Sequence, residues 1–235
     1  MERVQKVIAE SGFCSRRKAE ELIKENRVKV NGENISLGTK VSGSDIITVD
    51  GKEIRKEIKE YYLLNKPRGV ISSSSDDKGR KTVVDFIDTD KRIYPVGRLD
   101  YDTTGALILT NDGELANILT HPKNQIEKSY YVKVEGKLMG DEIHTLERGI
   151  KLENEFLRPD KVKFRKYDEK TNSTYVSVIL HEGHNHEVKK LFEYINHPVI
   201  KLKRESIAFL NVIDLKSGEY RKLNPKEVSK LYNLK

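Results

Sequence analysis

The chain has 235 residues, of which 44 are Lys or Arg and 37 are Asp or Glu, giving a net charge of +7. Apolar residues make up 36% and charged residues 34%, leaner and more charged than an average globular chain. Val, Ile and Leu nevertheless recur along the whole length, which excludes a disordered tail. No run approaches the ~20 apolar residues of a membrane span, and the basic excess points toward a polyanion.

In chain order, Val4, Val7 and Ile8 have helical spacing and Ser11-Gly12 stops that helix. Ser15 caps a second helix whose inner face is Ala19, Leu22 and Ile23. Val28 and Val30 alternate into Asn31-Gly32, a strong hairpin signal, and Ile46–Val49 runs into Asp50-Gly51. Residues 1–60 therefore read as a helix–helix–hairpin module, with the polar stretch Arg55–Glu60 as a linker. Beyond it, Tyr61–Leu64 reads as a strand that breaks at Pro67-Arg68-Gly69, and Val70-Ile71 resumes it before a Ser-rich loop. Ala106–Leu109 is a short apolar run, as in a strand buried on both faces. Asn111-Asp112-Gly113 opens a helix carrying Leu115, Ile118 and Leu119. Tyr130, Val132 and Val134 alternate, as do Val176, Val178 and Leu180. Val188, Leu191, Phe192 and Ile195 mark an amphipathic helix. Strands interleaved with a few helices over residues 61–235 indicate an α+β domain.

The single cysteine, Cys14, excludes an internal disulfide and fits a reducing compartment. With no signal-peptide pattern in the first ten residues, a cytoplasmic protein is expected. Arg16, Arg17 and Lys18 cluster on the second helix, and Arg27 and Lys29 flank the strand after it. Such a face suits phosphate, because guanidinium groups make paired contacts to it. The segments Arg3–Ile8, Ser15–Glu20 and Arg27–Gly32 resemble the S4 RNA-binding domain, which implies structured RNA as partner and no particular reaction.

The densest polar turn beside a buried strand is Val96–Gly105, with Asp100 and Asp102 at its mouth. Arg98 is placed to keep a carboxylate ionised, and Thr103 and Thr104 to tie the turn through their hydroxyls. The residues alone leave Asp100 and Asp102 equal. Gly97-Arg98-Leu99-Asp100, Asp102–Gly105 and Leu109–Gly113 resemble the signature of ribosomal RNA pseudouridine synthases of the RsuA/RluB type. Leu64–Val70, Lys128–Val132 and Glu182–Leu191 agree with that family in order and spacing.

The resemblance implies a mixed, largely antiparallel sheet flanked by helices, and the conversion of uridine to pseudouridine in ribosomal RNA without a cofactor. It places the catalytic role on Asp100, the base-facing tyrosine on Tyr130 and the basic partner of Asp100 on Lys189. Lys66, Arg98, His184, His186 and Lys190 are expected to contact RNA. The chain departs from the family at His184, His186, Lys189 and Lys190, where Arg is usual, and at Glu187, where Gln is usual. The implied partner is ribosomal RNA or a ribosomal subunit precursor, the large subunit being favoured, with no membrane involved and the protein acting as a monomer. No Asp, Glu or Cys completes a recognisable ligand set with His181, His184 and His186, so no metal site is expected.

Overall fold

The computed structural model describes residues 1–152 and 155–234, which form two compact units. The first comprises Met1–Glu60 with the short stretches Thr89–Ile93 and Asn111–Gly113. Its helices are α1 (Val4–Glu10) and α2 (Arg16–Lys24). Ser15 caps α2, its Oγ accepting from the Lys18 amide at 3.1 Å, a contact worth about 1 kcal/mol. Two hairpins follow: β1 (Val28–Val30) with β2 (Glu33–Asn34), then β3 (Ile47–Val49) with β4 (Lys52–Glu53). Their two-residue turns, Asn31-Gly32 and Asp50-Gly51, have positive φ at both positions, the geometry that matches strand twist. Val4, Ile8, Ala19, Leu22, Ile23, Val28 and Val49 close the core of this unit. Cys14 packs against it, half-buried, and that burial pushes its thiol up.

The polar stretch expected as a linker is irregular but tied down. Asn111 accepts from the Glu60 amide at 2.8 Å and donates to the Ile58 carbonyl at 3.1 Å, and Lys59 pairs with the buried Asp112 at 2.9 Å.

The second unit holds a nine-stranded sheet. Its main strands are β5 (Tyr61–Lys66), β6 (Thr104–Thr110), β7 (Lys128–Glu135), β8 (Lys161–Asp168), β9 (Ser173–Leu180), β10 (Val199–Ile207) and β11 (Tyr220–Lys222). They lie in the order β8-β9-β7-β10-β6-β5-β11, with Tyr94–Pro95 added beside β6 and Leu210–Asn211 beside β10. The helices are α3 (Gly113–Thr120), α4 (Gly140–Arg148), α5 (Glu187–Tyr194) and α6 (Pro225–Tyr232). Every neighbouring pair is antiparallel except β6 and β10, which run parallel through Thr104↔Lys203 and Gly105↔Arg204. Gly105 makes that joint possible. Its φ is +108° and a Cβ there would sit 2.0 Å from the Arg204 carbonyl oxygen.

Two apolar clusters cover the sheet. One packs Val188, Leu191 and Phe192 of α5 on Val132, Val176 and Val178. The other packs Leu115 and Leu119 of α3 on Leu63, Ala106 and Ile108. Ala106–Leu109 is fully buried, as a continuous apolar run requires. Val70-Ile71 does not resume a strand: after Gly69 turns the chain with φ +77°, Ile71 makes only an isolated bridge to Thr82.

Candidate active site

The turn between Val96 and Gly105 is held by backbone and by groups from β5 and the loop after it. The Ser72 hydroxyl donates to the Leu99 carbonyl at 2.7 Å and accepts from the Leu99 amide at 3.1 Å. The Gly69 amide donates to the Tyr101 carbonyl at 2.8 Å. Lys66 supplies the central tie. Its ammonium, wholly buried at the end of β5, donates to the carbonyls of Thr103 at 2.9 Å, Asp100 at 3.0 Å and Pro67 at 3.2 Å. Three N–H donors meet three acceptors, which makes a buried ammonium tolerable. Burial still pushes its pKa down to about 8, with the Asp100 and Asp102 charges pulling the other way. The expectation that Lys66 contacts RNA is therefore corrected. Its charge is buried and its donors are used inside the protein.

Held in this way, Asp100 presents its carboxylate to α5. Lys189 lies 3.0 Å from Asp100 Oδ2 and 2.8 Å from Asp102 Oδ1, so one ammonium bridges both acids. The bond from Lys189 keeps Asp102 below the usual aspartate range. Partial burial pushes Lys189 itself down, but its bonds to Asp102 and Asp100 outweigh that and raise it. His186 Nε2 stands 3.4 Å from Asp100 Oδ1. The partner read for Asp100 from proximity in sequence, Arg98, is exposed and forms no ion pair among the described residues. The Thr103 hydroxyl is buried without a hydrogen-bond partner, so the turn is tied through its carbonyl instead. The Thr104 hydroxyl does tie the turn, donating to the Leu202 carbonyl at 3.4 Å.

Tyr130 lies on β7 opposite Arg204 of β10 and Val178 of β9, its ring nearly buried. It borders a recess of about 70 Å³ with Asp100, Thr103, His186 and Leu202. That recess adjoins a cleft of about 450 Å³, and Tyr130, Arg98, Gly183 and His184 line both. The larger volume falls in the range of small-ligand sites.

The loop 181–186 forms one wall of the cleft. His184 pairs with Glu182 at 2.6 Å and its amide donates to Glu187 at 2.9 Å. Glu187 is buried at the start of α5, and burial raises its carboxyl. His186 sits in the left-handed region with φ 57°. Lys190 is paired with Glu155 at 2.7 Å.

Two residues at this site were not predicted in any role of their own. Lys128, two residues before Tyr130, donates to the carbonyls of Ile126 at 3.0 Å, His181 at 3.1 Å and Glu182 at 3.2 Å. Burial, helped by the Arg204 charge, pushes its pKa down to about 8. Arg204 is buried, and its Nε donates to the Ala106 carbonyl at 2.7 Å. For Lys128 a signal existed: it shares the inward parity of Tyr130, Val132 and Val134, where a lysine needs buried acceptors. Among the described residues no group of three His, Cys, Asp or Glu is placed to hold a metal.

In the first unit, Arg16, Arg17 and Lys29 are exposed without ion-pair partners among the described residues. Lys18 pairs with Glu21 at 2.9 Å, and Arg27 forks onto Asp50 at 2.7 and 2.6 Å with Glu25 at 3.0 Å. Arg27 is thus partly occupied in bracing its own hairpin. No helix among the described residues is long and apolar enough to cross a membrane.

Comparison with known proteins gives two family matches: RNA pseudouridylate synthase over residues 60–194 and the S4 domain over residues 2–47. Ribosomal large subunit pseudouridine synthase B of Bacillus subtilis is 54% identical over 233 residues, spanning 98% of this chain and 96% of the relative. An uncharacterized RNA pseudouridine synthase of Aquifex aeolicus is 43% identical over 234 residues, spanning 98% and 93%. A crystal structure of a pseudouridylate synthase superposes with a TM-score of 0.69 at 32% identity, covering 98% of this chain and all of the other.

Proposed function

The chain belongs to the RNA pseudouridylate synthase family and carries an S4 domain ahead of it, and on that premise we propose that it isomerises a specific uridine of large-subunit ribosomal RNA, with Asp100 as the catalytic residue. The observation that carries the assignment is the Asp100 carboxylate, its backbone held by the Lys66 and Ser72 clamps, paired with Lys189 at 3.0 Å and bordering the recess that Tyr130 also borders. The large-subunit target rests on the printed name of the Bacillus relative. The protein is taken to act as a cytoplasmic monomer on RNA or a subunit precursor.

The uridine leaves its stack to enter the cleft, at a cost of a few kcal/mol that is smallest in loops and bulges. The bond from uracil N1 to ribose C1′ breaks, the base turns, and C5 bonds to C1′. C5 then loses its proton while N1 ends protonated, so atoms balance without an oxidant, reductant or donor group. Asp100 acts on the extruded nucleoside and Lys189 orients it. Tyr130 stacks on the uracil plane, its ring held by β9 and β10 on either side. Arg16, Arg17 and Lys29 of the S4 unit supply phosphate contacts that set affinity and its salt dependence. The residues 1–60 serve as the RNA-binding domain and 61–235 as the catalytic one.

Large- and small-subunit transcripts tritiated at uracil C5, given to the purified protein, test the proposal by label released to water. Release from the large-subunit transcript, abolished in Asp100→Ala with RNA binding retained, is expected. Release only from the small-subunit RNA overturns the target. Tight binding without release from RNA or assembled particles overturns the activity in favour of an assembly factor.

A further inference from the structure

The strands that present Tyr130 on one side of the sheet present a different surface on the other. Alternation turns Tyr130, Val132 and Val134 toward the core and Tyr131 and Lys133 away from it. Across the ladder, Tyr131 faces Lys203 and Lys133 faces Lys201 on β10, while Lys133 faces Tyr175 on β9. On β8 the register breaks between Phe164 and Lys166. That bulge places two consecutive cations over neighbouring outward residues of β9: Arg165 donates to the Ser177 hydroxyl at 2.7 Å, and Lys166 lies opposite Tyr175. Lys163 precedes them opposite Ser177.

Six cations thus share one face of four adjacent strands, close to the +7 excess of the whole chain. None of the six forms an ion pair among the described residues. Of the acidic residues nearby, Glu135 and Asp168 lie together at one end of the ladder, opposite Ser173, and Glu205 sits on β10 at the register shift beyond Lys203. Between the cations, the rings of Tyr131 and Tyr175 pack 5.6 Å apart at 31°. Lys166 and Lys133 stand 4.7 and 5.3 Å from the Tyr175 ring centre. A solvated charged face needs no aromatic residues, and an apolar protein interface does not collect uncompensated lysines. Cations interleaved with tyrosines on an open sheet match what a polynucleotide offers, phosphates spaced along a strand and bases with π faces.

We propose that this Tyr/Lys face, opposite the one carrying Tyr130, is a second RNA-binding surface that grips a part of the same RNA distant from the target uridine. The proposal rests on RNA being the substrate, as set out above. Lys133, Lys166, Lys201 and Lys203 contact phosphates, and Tyr131 carries an unstacked base. The face adds affinity for long RNA and takes no part in the isomerisation.

The test uses the full chain and the large-subunit transcript, with binding followed from 50 to 400 mM salt by fluorescence anisotropy. The quadruple variant Lys133→Gln, Lys166→Gln, Lys201→Gln, Lys203→Gln should flatten the plot of log K against log salt by about three. Its Kd at 0.1 M salt should rise at least tenfold, with single-turnover tritium release at saturating enzyme unchanged. Tyr131→Leu, which leaves every charge, should weaken binding roughly tenfold with the slope intact. An unchanged slope in the quadruple variant overturns the proposal. So does normal binding to naked transcript combined with lost binding to protein-containing ribosomal particles, which assigns the face to a protein partner. Failure of the wild type to release tritium strikes the proposed activity instead, and the salt slope still decides this face.

Discussion

The site is built from two loops that a lysine holds in the same manner, yet the loops differ in what else holds them. Lys66 grips the Asp100 turn and Lys128 grips the 181–186 loop, each through three backbone carbonyls. The backbone of the Asp100 turn is further tied by backbone groups and a hydroxyl, from Gly69, Ser72 and the close contact at Gly105, while the carboxylate itself meets Lys189 and His186. Around the second loop the further ties are titratable side chains, His184 on Glu182 and Glu187 on the His184 amide. Lysines apart, the backbone of the Asp100 turn is thus held by groups that do not titrate, and that of the 181–186 loop by groups that do.

Lys66→Met breaks the stronger arrangement. It leaves three carbonyls without their donor and frees the Asp100 turn, and a displacement near 1 Å costs about a hundredfold in rate. Single-turnover tritium release should fall by that factor. The pH profile sharpens the reading. With its pKa near 8 in the fold against 10.5 for a free lysine, Lys66 releases its proton from the folded state first. The unfolded state then binds more protons between about pH 8 and 10.5, so this group makes stability rise with pH across that window. Turnover should move oppositely, because a neutral amine has two N–H donors for three carbonyls. Urea unfolding of wild type minus Lys66→Met isolates the first trend, and kcat against pH the second.

Lys128→Met is expected to cost less, about tenfold in kcat/KM with a smaller change in kcat, since its loop shapes the cleft without carrying Asp100. Equal losses in the two lysine variants would erase the distinction between the loops. Glu187→Gln should have the smallest effect. Burial raises the Glu187 carboxyl, so the folded state holds its proton to higher pH and stability declines as pH rises through that value. Glutamine keeps an acceptor for the His184 amide, so melting followed upward from the ordinary glutamate range should lose that decline while kcat stays within about threefold.

Much of this was legible in the sequence where local chemistry decides. The Asn31-Gly32 and Asp50-Gly51 hairpins, the Ser15 cap and the buried run Ala106–Leu109 follow from turn chemistry and periodicity. The Asp100 turn stood out as polar residues beside a buried strand, and resemblance chose Asp100 over Asp102. Strands β8 and β10 were not foreseen, because Lys161–Asp168 and Val199–Ile207 carry charge on one parity and hide few apolar residues on the other. Lys66 was misread for a related reason. Whether a lysine at a strand end is exposed depends on carbonyls 34 and 37 residues away, which no local pattern displays. Lys189 rather than Arg98 meets Asp100 because a helix delivers it across 89 residues of chain.

The parallel joint at Gly105 and Arg204 also has a consequence for the order of assembly. The hydrogen bond from Arg204 to Ala106 spans 98 residues, so the Thr104–Gly105 end of β6, beyond the part that Tyr94–Pro95 covers, waits for β10. Contacts this far apart in sequence form late. During synthesis the turn that carries Asp100 therefore lacks this support until β10 has emerged. That strand lies in the last quarter of the chain.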